Sequence, residues 1–128
     1  MKLLASQIDE ASLSRFGEEV VSLLKKRDFL SLADRFGYAS AFETPPATAI
    51  EADLQRSIAE RQALPAEQNA VVASIVVKYF QPNETGLLAL VECVFDAAKG
   101  CPILAELIVT SDGKDQYVTL EEISSKAG

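Results

Sequence analysis

The spacing of hydrophobic residues in this chain changes from a helical to a strand period near residue 70. Before that point apolar positions recur every three or four residues; after it they alternate. Leu13, Phe16, Val20, Leu23 and Leu24 predict a first helix closed by Lys25-Lys26-Arg27. Asp28 suits an N-cap for a shorter second helix carrying Phe29, Leu32, Ala33 and Phe36, with Gly37 as its stop. Residues 38–42 read as a short strand or an extended connection, ended by Thr44-Pro45-Pro46. A third helix follows over 46–61, with proline near its first turn, Thr48-Ala49-Ile50-Glu51 as a capping box, and a narrow stripe of Ile50, Leu54 and Ile58.

The second half predicts an antiparallel meander. Strand-length runs at 70–80, 87–96 and 103–110 are separated by Gln81-Pro82-Asn83-Glu84-Thr85-Gly86 and by 97–102. Ser111-Asp112-Gly113-Lys114 is a hairpin signal, because Asp-Gly tolerates the positive φ of a tight turn, and 117–120 is the returning strand. The expected fold is α+β: about three N-terminal helices on one face of a curved antiparallel meander of three to five strands. It forms a single domain over 1–128, with 1–9 and 124–128 as loose ends.

Alternation sorts the strand residues into two faces. Leu87, Ala89, Val91, Cys93 and Phe95 form one apolar face with Ile103, Ala105, Leu107 and Val109, and should meet the helices. The opposite face mixes Leu88, Leu90, Val94, Leu104 and Ile108 with Glu92, Asp96 and Glu106, and Lys78 of the first run falls on it too. A charge inside an apolar strand must face water, line a cleft or meet a partner, since burying it unpaired is too costly. For Glu92 and Glu106 two readings compete. As neighbours they would raise one another's pKa and offer acid–base chemistry; alternatively the register separates them, because like charges directly opposite are unfavourable. Lys78 is placed to neutralise Glu92. The five apolar residues of this face exceed what a monomer normally exposes. A dimer interface, a ligand cavity or a covering segment such as 1–8 would resolve that, and self-association is favoured.

Composition narrows the chemistry. The 128 residues include no His, which removes the usual general base and the commonest metal ligand, and argues against an enzyme. Net charge is −7, and the acidity sits in the sheet half, where residues 67–128 hold 4 basic and 9 acidic side chains. Such a balance repels nucleic acid and permits a basic protein partner. Glu84, Asp96, Asp112, Asp115, Glu121 and Glu122 fall near predicted turns and suggest an acidic rim. Asp112-Gly113-Lys114-Asp115 is too short for a calcium loop, and no metal or cofactor is expected. No run approaches a membrane span, so a cytoplasmic protein without membrane contact is expected. Cys93 reads as a buried apolar residue and Cys101 as a turn residue; two free thiols are expected.

The order of elements, two helices at 13–27 and 29–36, an extended piece at 38–42, a third helix at 46–61 and a long meander, resembles the nuclear transport factor 2-like (cystatin-like) superfold. So does the opening Asp28-Phe29-Leu30-Ser31-Leu32-Ala33 after a charged turn. The resemblance implies a strongly curved sheet wrapped on the helices, with a cavity and dimerisation both frequent, and it leaves function open between catalytic and binding members. Catalytic members often pair an acid with His or a cavity Tyr, and His is absent here. The expected function is therefore a non-enzymatic cytoplasmic interaction domain, of inhibitor or immunity type, that docks a basic partner on an acidic sheet surface using Lys78, Glu92, Glu106, Asp96, Asp112 and Asp115. The alternative is a small-molecule-binding or weakly catalytic domain with a pocket between helices and sheet.

Overall fold

The computed structural model describes residues 1–63 and 73–125. Three helices, α1 (Glu10–Lys25), α2 (Phe29–Phe36) and α3 (Pro46–Gln62), lie on one face of a curved, unclosed antiparallel sheet. Its strands are β1 (Lys2–Leu3), β2 (Ser74–Tyr79), β3 (Leu87–Ala98), β4 (Cys101–Ser111) and β5 (Gln116–Ser125), in the order β1-β5-β4-β3-β2.

Helix starts follow side-chain chemistry more than apolar period. α1 begins ahead of its first apolar position, because the Asp9 carboxylate accepts the Ser12 N–H at 3.2 Å and so caps a polar first turn. Asp28 caps α2 the same way through Ser31, and Gly37 ends it with φ +71°. The capping box expected at Thr48–Glu51 does not form. The fixed φ of Pro46 starts α3 earlier, leaving Thr48 already inside the helix. Residues 38–42 are not a strand: Ala39–Ala41 is a 3-10 turn, and Tyr38 alone makes a parallel bridge to Leu120.

The chain start is tied down rather than loose, and it does not cover the sheet. Lys2 and Leu3 pair with Tyr117 and Gln116 as an edge strand, and the Met1 ammonium donates to the Val118 carbonyl at 2.8 Å. β5 runs past the expected 117–120 and takes in Ser124 and Ser125, which pair with Leu104 and Ile103. Of the first run expected at 70–80, residues 70–72 lie outside the described residues, and so do 126–128 of the expected tail.

The inner sheet face is the apolar one. Ala89, Val91, Cys93 and Phe95 of β3, Ile103, Ala105, Leu107 and Val109 of β4, and Val118, Leu120 and Ile123 of β5 are fully buried. The helices press Leu13, Val20, Leu24, Leu32, Ile50 and Leu54 into the same core. α1 crosses β2 and β3 closely at Gly17, where a Cβ would come 2.9 Å from Ile75 Cγ2 and 3.1 Å from Cys93 Sγ. Cys101 is not a turn residue; it opens β4 and is buried. Both cysteines are free, and burial pushes the Cys93 thiol up to about 12. The basic cluster closing α1 is partly used by the fold itself. The Arg27 guanidinium donates to the Leu24 carbonyl at 2.8 Å and to the Ala97 carbonyl at 2.9 Å, tying the helix end to β3.

Candidate functional site

All three helices pack against the inner face, so among the described residues the outer face of β2–β5 carries no covering layer. Register arranges that face in three rows. The middle row runs Val76, Glu92, Glu106, Glu122 across four strands. On one side lie Lys78, Leu90, Ile108 and Thr119, and on the other Ser74, Val94, Leu104 and Ser124. On β3 and β4 the line of carboxylates is thus framed by aliphatic side chains, and on β5 by Thr119 and Ser124. Leu90, Leu104 and Ile108 are half-buried and Val94 is buried, although no second layer among the described residues covers them. Leu88 leaves this set: it sits beside the register shift between Leu87 and Ala89 and packs against the core.

Of the two arrangements open for the strand glutamates, separation by register does not occur. Glu92 pairs directly with Glu106, which puts their Cα atoms about 4.5–5.5 Å apart. Glu106 in turn faces Glu122 of β5. A β-bulge adds a fourth acid, because Glu106 pairs with Glu122 while Leu107 pairs with Leu120, leaving Glu121 as the extra residue. The bulge is held from behind. The Ser40 hydroxyl donates to the Glu121 carbonyl at 2.7 Å, and the Ile123 N–H donates to the Tyr38 oxygen at 3.2 Å. The buried Tyr38 hydroxyl donates onward to Asp53, which also accepts from Arg56 at 2.9 Å.

Lys78 forms an ion pair with Glu92 at one end of the row. Glu106 sits in the middle, and its carboxyl is raised above the ordinary range. Burial is the largest cause, followed by the charges of Glu122, Glu92 and Glu121, and Lys78 opposes them. Lys78 thus engages the first of four neighbouring carboxylates and offsets part of their charge at Glu106. The row persists because Glu92, Glu106 and Glu121 are only half-buried and Glu122 is exposed, so their outer ends reach solvent.

A raised folded-state pKa means that Glu106 favours folding fully only below its unfolded value, and loses that contribution as pH rises through the folded value. Glu106→Gln is therefore expected to be more stable than the parent at pH 7, by about 1 kcal/mol for relief of an opposed like-charge pair. That corresponds to roughly 3–5 °C in Tm. The gain should close below about pH 4, where the parent carboxyl is also neutral. Thermal melts of both proteins between pH 3 and 8 check this, and a gain unchanged at low pH would show that charge is not its source.

The remaining predicted residues do not join the row. Asp96 is exposed opposite Pro102, four residues along β3 from Glu92, about 13 Å away at the strand rise. Asp112 and Asp115 lie in the β4–β5 turn, about 20 Å from Glu106 by the same measure. Both have local work. The Asp112 carboxylate accepts the N–H groups of Lys114 (2.9 Å) and Asp115 (2.7 Å), which hold its pKa low, and Asp115 pairs with Lys2 at 3.3 Å. The acidic rim is thus split between the two ends of the sheet and its middle. Glu121 and Glu122 belong to the row, and the signal for them was the gap of three between apolar Leu120 and Ile123, which a strand without a bulge does not allow.

An open groove of about 750 Å³ runs between α1 and β2, lined by Ser14, Val21, Ser22, Lys25, Ser74 and Ile75 among others. It lies at the sheet edge rather than between the helices and the middle of the sheet. Among the described residues no group of three or more His, Cys, Asp or Glu side chains is arranged to hold a metal ion, and no helix is long and apolar enough to cross a membrane. No family model, curated protein or solved structure matches the chain.

Proposed function

We propose that this protein is a non-enzymatic interaction domain of the cytoplasm, of inhibitor or immunity type, whose outer sheet face docks a partner segment carrying cationic side chains between apolar ones. The observation that carries the reading is the Glu92–Glu106–Glu122 row with Glu121 beside it, flanked on β3 and β4 by Leu90, Ile108, Val94 and Leu104 and only partly neutralised by Lys78. A guanidinium laid over the row would receive bidentate carboxylate contacts and relieve repulsion already present in the free protein, while Leu90, Ile108, Val94 and Leu104 take its apolar neighbours. The same row is poorly suited to catalysis. Among the described residues it lies on an open face with no enclosing wall to exclude water and strengthen its electrostatics. Three helices followed by a curved, unclosed meander also support reading the fold as nuclear transport factor 2-like.

A capped pentapeptide in which two arginines alternate with valine and leucine is a suitable probe. In 1H–15N spectra it should shift outer-face amides of β3, β4 and β5, with affinity falling as salt rises. Glu106→Gln combined with Glu122→Gln should weaken binding about tenfold, whereas Asp112→Asn should leave it unchanged. Shifts confined to the β4–β5 turn, or an unaltered affinity in the double variant, would remove the row from the docking surface.

A further inference from the structure

The two edges of the sheet are finished differently. β1 is a two-residue strand that closes the β5 side. On the other side, among the described residues, nothing pairs with β2. The Phe80 N–H donates to the Leu88 carbonyl at 3.0 Å, and the register continues through Lys78↔Leu90 and Val76↔Glu92. Ser74, Val76 and Lys78 therefore turn their N–H and C=O groups toward β3, while Ile75, Val77 and Tyr79 turn theirs outward from the sheet. Natural sheets blunt such an edge with proline, a bulge or free lysines. β2 has no proline and no register shift, and its Lys78 is engaged by Glu92. Exposed bulky apolar side chains also gather here: Val76 (46% exposed), Tyr79 (52%) and the adjoining Phe80 (42%).

We propose that β2 is the pairing edge for a second copy of this chain, joined antiparallel about a two-fold axis at Val76 to make one continuous ten-stranded sheet. In that register Ile75 hydrogen-bonds with Val77 of the second copy and the reverse, Val76 meets its own counterpart, and Ser74 lies opposite Lys78. A copy is favoured over a foreign strand because the flanking charges are self-complementary. α1 runs antiparallel to β2: Gly17 lies against Ile75, while the Tyr79 hydroxyl donates to the Ile8 carbonyl at 2.6 Å. The helix thus carries Lys25 and Lys26 to the Ser74 end of the groove and Asp9 and Glu10 to the Tyr79 end. The two-fold lays the basic end of one α1 beside the acidic end of the other. The paired sheet would also bring the two carboxylate rows onto one shared outer surface, although the pairing itself does not depend on what docks there.

The test is sedimentation of the full chain over a concentration series, together with Val76→Cys under mild oxidation. The native thiols are buried, so a new disulfide reports the dyad, and Leu30→Cys, exposed on α2, serves as control. The expected results are a mass that doubles with concentration and a Val76→Cys dimer that forms at least about tenfold faster than the control. Val76→Asp should be a monomer with an unchanged fold, since like charges then face each other across the axis. Lys25→Glu with Lys26→Glu should weaken the dimer, and adding Glu10→Lys should restore part of the loss. A chain that stays monomeric at every concentration overturns the proposal. So does a dimer that survives Val76→Asp but is lost in Leu90→Glu, which would place the contact on the sheet face, and so does a monomer whose β2 edge takes up only an added extended peptide.

Discussion

Gly86→Ala is expected to cost roughly 3 kcal/mol or more and to lower Tm by roughly 10 °C, from left-handed backbone strain and a steric clash acting together. Gly86 sits at φ +72°, and a Cβ there would lie 2.2 Å from the Ser111 carbonyl oxygen, which is backbone and cannot rotate away. The loop cannot yield either. The Ser111 N–H donates to the Gly86 carbonyl at 2.8 Å. Asn83 braces the other side, its amide donating to the carbonyls of Gln81 (2.9 Å) and Leu87 (2.8 Å) while its oxygen accepts the Thr85 and Leu87 N–H groups. Gly113 supplies the control. Its φ of +91° is similarly positive, but nothing lies within 4 Å of its would-be Cβ, so Gly113→Ala should lose only the conformational part, about 1–2 kcal/mol. Urea and thermal unfolding of the two variants measure the difference. Equal losses would show that the Ser111 contact is not what makes Gly86 irreplaceable.

How far the chain discloses its own fold follows from where its period is clean. α2, the β3 and β4 cores, and the face shared by Lys78, Glu92 and Glu106 were all readable, because alternation or a capping aspartate marks each of them. Three features of the sheet were among those that were not. β1 is two residues long, too short for any period, and exists only because β5 offers it an edge. The tail of β5 was hidden by the bulge, which breaks alternation after Leu120 just where Glu121 and Glu122 enter the carboxylate row. Register was the third. Repulsion between Glu92 and Glu106 favours a slip, but a one-residue slip would turn the whole inner face of β3 or β4 out of the core. Burial of Val91, Cys93, Ala105 and Leu107 outweighs one opposed carboxylate pair by several kcal/mol, so packing sets the register and the site inherits the repulsion. Asp112 and Asp115 misled for the opposite reason, as their carboxylates are consumed by the turn that displays them.

Tyr38→Phe is expected to lower stability by roughly 2–3 kcal/mol and to alter the carboxylate row without touching it. The phenol is buried at the junction of the 39–41 turn, α3 and β5, donating to Asp53 and accepting the Ile123 N–H. Burial, then the hydrogen bond to Asp53 and its charge, push its pKa far above the ordinary tyrosine value, so it acts as a neutral donor throughout the physiological range. Phenylalanine fills nearly the same volume, which isolates the loss to the hydroxyl: the Ile123 amide is left without that acceptor, and Asp53 keeps the Arg56 contact alone. Ile123 is the first inward residue after the bulge, so its anchor fixes how Glu121 and Glu122 are presented. Once that anchor is released, the bulge should relax and the two charges draw away from Glu106, whose raised pKa then falls back toward the ordinary carboxylate value. Carboxyl titration of Glu106 by 13C NMR in the parent, Tyr38→Phe and Ser40→Ala proteins reads this directly, with Ser40→Ala releasing the Glu121 carbonyl by a separate contact. A folded Tyr38→Phe protein whose Glu106 titrates as in the parent would mean that the β4–β5 ladder alone holds the bulge, and that the polar network behind the sheet serves stability but not the site.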